Sequence, residues 1–395
     1  MSFFIGLSGL NAASEELEVT SNNIANVNTA GFKSYRDQFS SVYNQYAPGG
    51  VTLSSQTQSY SQGSIEQTGS ALDMAIEGGG FFVGMKNGQQ VYTRRGYFQL
   101  NAQGFITDDQ GMDLQGHPVD STGAIENGVV SNLSINKGNL AAQQSKNVTI
   151  NANLNASDTA PTVTTFDPTD ANSYNSSSSV NVYDSLGKQH TLKEYYVKTG
   201  ENSWNVHYTM DGKAVNSGKP ETLKFDSNGN LTGYTPQSIA FNPGSGANTM
   251  TTKIDLSNMT QFASDFSIAK ATTDGYASGQ FTNVSVDSSG NIYANYSNGQ
   301  KKLEGQVVVA SIPDETELKP VGSTSWIATT SSGKPVIGTP GSGQLGALEG
   351  GAIEQSNVDL SSQLVNLITE QRNYQANAKS ISAVNKMDTV LMQSM

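Results

Sequence analysis

Apolar residues recur every seven positions at both ends of the chain and almost nowhere between them. Phe3, Leu10, Leu17 and Ile24 form one such row, with Leu7 beside it. Leu360, Leu367, Tyr374 and Ile381 form the second, extended by Leu364 and Leu391. A seven-residue apolar period gives a helix a narrow stripe that stays buried only against another helix. The first stripe predicts a helix over about Ser2–Ile24, with Gly6, Ala13, Thr20 and Val27 at the companion positions three residues on. Gly6 and Gly9 weaken it by roughly 1 kcal/mol each relative to Ala, and they also permit close helix approach. Asn26, Asn28, Thr29 and Gly31 then form a stop, because short polar side chains compete for the helical backbone and a glycine follows. The second stripe predicts a helix capped by Ser356 or Asn357, with Asp359 in its first turn. From that cap to the end of the chain it would span about 57 Å. A helix of that length with one apolar stripe belongs in a bundle or coiled coil.

Between the stripes the period changes to that of strands and turns. Residues 34–70 are polar, rich in Ser, Gln and Tyr, and read as an extended connector with strand character near Tyr60 and Ile65. Short strands follow at Phe81–Met85, Val91–Thr93, Tyr97–Leu100 and Phe105–Thr107, with a turn at Asn87-Gly88. Val180–Tyr183, Thr191–Val197 and Trp204–Thr209 read as an antiparallel meander. Phe281–Val286, Ile292–Tyr296 and Gln306–Ile312 read as further strands, and residues 313–351 as Pro/Gly/Ser-rich loops. The phrases Asp226-Ser-Asn-Gly229, Asp287-Ser-Ser-Gly290 and Asn298-Gly299 are hairpin turns at spacings too irregular for a solenoid. The expected fold is a multidomain α+β protein. Residues 1–33 and 356–395 make a coiled-coil-like terminal helical domain, and 34–70 a connector. Residues 71–150 and 275–355 make an inner β-domain, into which an outer β-domain, 151–274, is inserted; both are mainly antiparallel.

Composition narrows the function. Only 14% of the 395 residues are charged, while 40 are glycine, so the surface is largely uncharged and polar. The 14 Phe, 16 Tyr and 2 Trp supply cores, which separates the chain from disordered sequences. The net charge of −12, with Arg94–Arg95 and Lys301–Lys302 as the adjacent basic pairs, argues against a nucleic-acid partner. The chain has no cysteine, which removes disulfide and thiolate chemistry. It has no apolar run long enough for a membrane span, and no basic, apolar leader resembling a cleaved secretory signal.

Candidate chemistry is weak. His117, His190 and His207 are far apart in sequence and read as strand or loop histidines, not zinc ligands. A Ser–His–Asp set lacks a nucleophile elbow. Asp108, Asp109 and Asp113 lack the alternation and terminal Glu of a calcium loop and read as a turn. Gly78-Gly79-Gly80 precedes a strand, so it serves close backbone packing and not a phosphate at a helix start. Asn132, Asn147, Asn258 and Asn283 match the glycosylation pattern without supporting context. Neither paired carboxylates nor a metal cluster points to catalysis, so the expectation is a non-enzymatic protein with no cofactor. The terminal stripes are the positive signal. Two helices alone are marginal as a unit, so they either fold on each other within one chain or are completed by other copies.

Ser21–Lys33 reads SNNIANVNTAGFK, and this closely resembles the signature that follows the N-terminal helix of bacterial flagellar rod and hook axial proteins. Within it, Asn22, Asn23, Asn26, Asn28, Thr29, Gly31 and Phe32 carry the match. Thr68–Gly84 (TGSALDMAIEGGGFFVG) and Tyr92–Phe105 (YTRRGYFQLNAQGF) resemble the inner β-domain of the same family. Leu348–Ile381, with SNVDL and QRNYQAN, resembles its C-terminal helix. Val182–Trp204 resembles the outer β-domain found in the hook members, which favours a hook subunit over the alternative of a distal rod or hook-associated axial protein. The resemblance implies a self-assembling subunit of a flexible curved tube that acts as a universal joint in motility. Its implied partners are further copies of itself, the distal rod, the hook cap, the hook–filament junction proteins and the flagellar type III export apparatus, with an extracellular location.

Overall fold

The computed structural model describes residues 3–44, 47–244, 246–322 and 324–394, the side chains at 43–44, 47–48, 388, 391 and 394 excepted. The chain divides into two units. One comprises Met1–Lys137, Asn283–Asn295 and Lys301–Met395; the other comprises Gly138–Thr282 and Tyr296–Gln300. The protein is mostly β, with one helix near each end.

In the first unit, α1 runs Phe3–Ala25 and α2 runs Leu360–Ser394. Asp359, not Ser356 or Asn357, caps α2: its carboxylate accepts from the backbone N–H of Ser361 (2.8 Å) and Ser362 (3.2 Å). Asn357 is diverted because its amide takes the N–H of Ser34 and donates to the carbonyls of Ser59 and Ser61. Residues 34–70, read from sequence as a connector, hold a long antiparallel hairpin, β1 (Tyr35–Asn44) and β2 (Ala47–Gln58). Its inner face is only half-buried and mixes Tyr35 and Phe39 with Asp37, so hydrophobic alternation carried no signal there.

The main sheet of this unit places Asp113–Pro118, Phe81–Lys86, Gln89–Thr93, Ser325–Ile327 and Lys319–Gly322 side by side. Its core packs Phe81, Val83, Tyr92, Ala310 and Trp326, and the rings of Tyr60, Phe81 and Trp326 meet edge-on at 5.7–5.9 Å. Residues 313–351 are therefore not merely loops. They contribute Lys319–Gly322, Ser325–Ile327, Val336–Gly338 and Ala347–Gly350, strands of three or four residues that are too short to show a period. Asn87 and Gly88 both take positive φ (51° and 78°), as a two-residue hairpin turn requires.

One turn design recurs in both units. Asn101, Asp108, Asp120, Asp184, Asp226 and Asp287 each accept, through a single side-chain oxygen, the N–H groups two and four residues on. Each is followed three residues later by a glycine at positive φ. The side chain thus satisfies donors that the turn leaves unpaired. Asp108 belongs to this set, which explains its acidic neighbourhood; Asp109 pairs with Arg95 (2.6 Å) and Asp113 accepts from Asn132.

The second unit contains the expected meander as Ser176–Tyr183, Gln189–Gly200 and Ser203–Met210, continued by Glu221–Phe225 and Leu231–Thr232. A second sheet centres on Asn147–Asn155, which pairs in parallel with Met250–Asp255 and Thr260–Phe262 and antiparallel with Ser267–Thr273. The shared core includes Leu154, Val182, Tyr196, Trp204, Val206 and Ile254. His190 is buried between Asp211 (2.6 Å) and Asp184 (3.3 Å), while the ring of His207 stacks on Phe166 at 4.1 Å. In the first unit, His117 Nδ1 lies 2.7 Å from the carbonyl of Val129.

Glu194 is enclosed in the second unit's core, where Ser178 donates to its Oε2 at 2.6 Å and Oε1 has no hydrogen-bond partner. Burial pushes its carboxyl up to about 8. The folded state therefore holds a proton that the unfolded chain releases near its ordinary value of about 4. Its contribution is intact below that value and is lost as pH rises through about 8. Calorimetry of Glu194→Gln against the parent should show a shallower fall in melting temperature from pH 4 to pH 9. An unchanged slope would assign the pH dependence to other groups.

Candidate self-assembly surface of the terminal helices

The two helices lie antiparallel, and their shared seam is small and polar. A Cβ on Gly6 would stand 2.9 Å from Ile381 Cγ1, and one on Gly9 would stand 3.0 Å from the Asn377 amide. Further along, Thr20 donates to Glu370 Oε1 (2.8 Å) and Asn23 donates to Gln363 (3.3 Å). The fully buried residues of α1 are Ala13, Val19, Thr20 and Asn23. The glycines are therefore a packing requirement, Gly6 at a companion position of the heptad and Gly9 three residues further on.

Apart from Ile381, which packs on Gly6, the apolar row is only partly covered. Leu10, Leu17 and Ile24 are half-buried, while Phe3 and Leu7 are exposed. On α2, Leu367 and Ile381 are half-buried and Tyr374 is exposed; the side chain of Leu391 lies outside the described residues. The first turns of α2 leave Leu360 (43%), Leu364 (45%), Val365 (64%) and Ile368 (51%) open. Four large apolar side chains on one short stretch of helix are a contiguous sticky surface, unlike single exposed leucines.

Both helices are rooted in a buried ionic junction. Glu354, fully enclosed, accepts from Lys33 Nζ at 2.7 Å through Oε1 and from Arg94 at 3.0 Å through Oε2. Oε1 also takes the N–H of Gly63 (2.9 Å), and the Glu354 carbonyl takes the N–H of Gly31 (2.8 Å). Lys33 donates further to the Ser61 carbonyl, and Arg94 to those of Ile76 and Gly78. Burial drives the Lys33 ammonium below its ordinary value, with Glu354 opposing the shift. Burial likewise raises the nearby Glu315, opposed by Arg94 and Lys33.

The polar motif after α1 builds this junction. Asn23 closes a two-way amide clasp on Tyr35, donating to its carbonyl (2.8 Å) and accepting its N–H (2.9 Å). Asn26 bonds back to Asn22, and Thr29 donates to Asn26. Gly31 has φ +69°, and a Cβ there would stand 2.6 Å from the Arg95 nitrogen. Phe32 is buried and meets the Tyr35 ring at 6.0 Å, whereas Asn28 is exposed. Sequence reasoning passed over Lys33, Arg94 and Glu354. The available signal was that Lys33, Arg94 and Glu354 each fall within a family-like motif segment of a weakly charged chain.

The arrangement is one of surfaces and anchors. Among the described residues no His, Cys, Asp or Glu group of three is placed to hold a metal, and no helix is long and apolar enough to cross a membrane. Removing one partner from a buried ion cluster leaves uncompensated charge and costs about 3–5 kcal/mol. Glu354→Gln should lower the unfolding free energy by that order in denaturant titrations. Adding Lys33→Met should recover part of the loss, because one of the two stranded cations is then gone.

Family comparisons match four consecutive parts of the chain. Residues 4–33 match "Flagella basal body rod protein", and 75–156 match "Flagellar hook protein FlgE/F/G D1 domain". Residues 153–276 match "Flagellar basal body protein FlaE D2 domain", and 349–394 match "Flagellar basal body rod FlgEFG protein C-terminal". A protein of Escherichia coli (strain K12) named flagellar hook protein FlgE is 39% identical over 400 residues, covering 99% of each chain. The flagellar hook protein FlgE of Salmonella typhimurium is 37% identical over 401 residues, again covering 99% of each. The crystal structure of the Helicobacter pylori flagellar hook protein FlgE2 aligns with a TM-score of 0.56 at 15% identity, covering 72% of this chain and 99% of that one. At that identity the likeness speaks for the fold alone.

Proposed function

The chain belongs to the flagellar hook protein family, and from that premise we propose that it polymerises through its terminal helices. It is a structural protein and not an enzyme: a subunit of the bacterial flagellar hook, the flexible curved tube that carries torque from rod to filament. The observation that carries the proposed role of the helices is the open apolar face at Leu360, Leu364, Val365 and Ile368. Covering a cluster of exposed apolar side chains is favourable, and in a helical tube that cover is the terminal helices of neighbouring copies. The stripe through Phe3, Leu7, Leu10, Leu17 and Ile24, and its counterpart through Leu367, Tyr374, Ile381 and Leu391, would then pack in coiled-coil fashion between subunits.

The remaining assignments follow the same logic. Residues 71–150 with 275–355 act as the inner β-domain and 151–274 as the outer one, and the family match over 153–276 supports that division. Uncharged polar surfaces exchange hydrogen bonds with water at small cost, which suits contacts that must shift as the joint bends and turns. The ends of such a tube meet the distal rod, the hook cap and the hook–filament junction proteins, and subunits reach it from the cell through the flagellar export apparatus.

The test is polymerisation of purified full-length protein, followed by electron microscopy. Val365→Asp with Ile368→Asp changes exposed residues, so the monomer should melt within a few degrees of the parent, yet tubes should be lost. A doubly substituted protein that forms tubes as readily as the parent would remove the helices from the assembly.

A further inference from the structure

The described part of α1 carries Glu15, Glu16 and Glu18 and no basic residue, whereas α2 carries a basic row. Between α1, α2 and the base of the β1–β2 hairpin lies a polar cavity of about 840 Å³, lined by Glu16, Asp37 and Glu370 from three different elements. Arg36 also lines it but forms no ion pair among the described residues. Two carboxylate oxygens there, Asp37 Oδ2 and Glu370 Oε2, are buried without a hydrogen-bond partner. Glu370 is only 9% exposed, and its other oxygen is held by Thr20. Burial raises the Glu370 and Glu16 carboxyls, and the neighbouring carboxylates add to both shifts. A buried anionic oxygen with no donor is costly, and a cation with N–H groups relieves it.

That cation is available on the other side of α2. Arg372, Lys379 and Lys386 are spaced one heptad apart, all exposed, and none forms an ion pair among the described residues. The acidic seam position Glu370 lies two residues before Arg372, about 200° away around the helix. One pair of helices therefore shows its cavity on one side and a basic row on the opposite side. Such an arrangement is complementary to itself by translation but cannot be satisfied within one copy.

We propose that this cavity receives a cationic side chain of the Arg372–Lys379–Lys386 row of a second copy of the chain. The inference deepens the polymerisation reading and rests on it, naming the charged contact that sets how adjacent helix pairs register. The cavity is far larger than a bare ion and can hold a long side chain with its stem. Among the described residues, no triad is close enough to hold a metal instead.

The test uses full-length protein polymerised from an equal mixture of ¹⁴N- and ¹⁵N-labelled copies and treated with a zero-length carbodiimide. Mass spectrometry should find Lys379 or Lys386 of one isotope joined to Glu16, Asp37 or Glu370 of the other. In parallel, Arg372→Glu with Lys379→Glu and Lys386→Glu should leave monomer melting unchanged and raise the concentration needed for tubes by roughly tenfold or more, as reversal of complementary charge does. Parent tubes without that mixed-isotope linkage, or a triple variant that assembles at the parent concentration, would overturn the proposal. Either result leaves the polymerisation reading standing so long as the parent forms tubes and the Val365→Asp, Ile368→Asp protein does not.

Discussion

The terminal helices hang from one buried carboxylate. Glu354 sits where three distant stretches of chain meet: the turn after α1 through Lys33 and Gly31, the strand end at Arg94, and the segment entering α2. Two cations against one anion in a site closed to water would be unfavourable if only those three charges were present. The backbone carbonyls of Ser61, Ile76 and Gly78 supply the remaining negative end of the balance. Such a cluster tolerates little displacement, because every member depends on the others for its hydrogen bonds. Its value lies in geometry more than in net stability. It fixes the start of α2 and the end of α1 relative to the sheet, and hence the direction in which both helices leave.

From that fixed root the helices invert the usual amphipathic arrangement. An ordinary helical pair buries its apolar stripe and exposes its polar face. Here Gly6, Gly9, Thr20 and Asn23 face the partner helix, while Leu360, Leu364, Val365 and Ile368 face outward. The β-units show the contrasting solution, with tryptophans, tyrosines and branched aliphatic residues enclosed in closed cores. A unit with a closed core is complete alone, whereas a helix pair joined by glycines, amides and one Thr–Glu bond has little cohesion of its own. The fold thus keeps its stability in the sheets and leaves its apolar surface at the ends.

What could be read from the sequence follows the range of each interaction. Helix positions, the Asn87-Gly88 turn and the meander through Trp204 come from local period and turn chemistry, and their strands appear within a few residues of expectation. The cap of α2 shifted to Asp359 because Asn357 is recruited by Ser34 and Ser59, partners some three hundred residues away in sequence. The hairpin at 35–58 escaped notice because neither face is buried enough to select alternation. The short strands around Trp326 depend on a tyrosine and a phenylalanine from other parts of the chain. The heptads marked the right helices, but which row faces the partner within the chain was decided by the glycines.

Charge explains why so few ionisable residues suffice. Lys33, Arg94 and Glu354 are paired at contact distance and shielded from solvent, so salt reaches them weakly. The turn aspartates are occupied by backbone N–H groups within their own loops. The terminal helices add the carboxylates Glu16 and Glu370 and the cations Arg372, Lys379 and Lys386, none of them in an ion pair among the described residues. Arg372, Lys379 and Lys386 are exposed and form no ion pair among the described residues, so ionic strength can act on them directly. A polymer built on the proposed contacts would accordingly respond to salt through its helices, while the ion cluster at their root stays screened from it, which separates control of assembly from stability of the subunit.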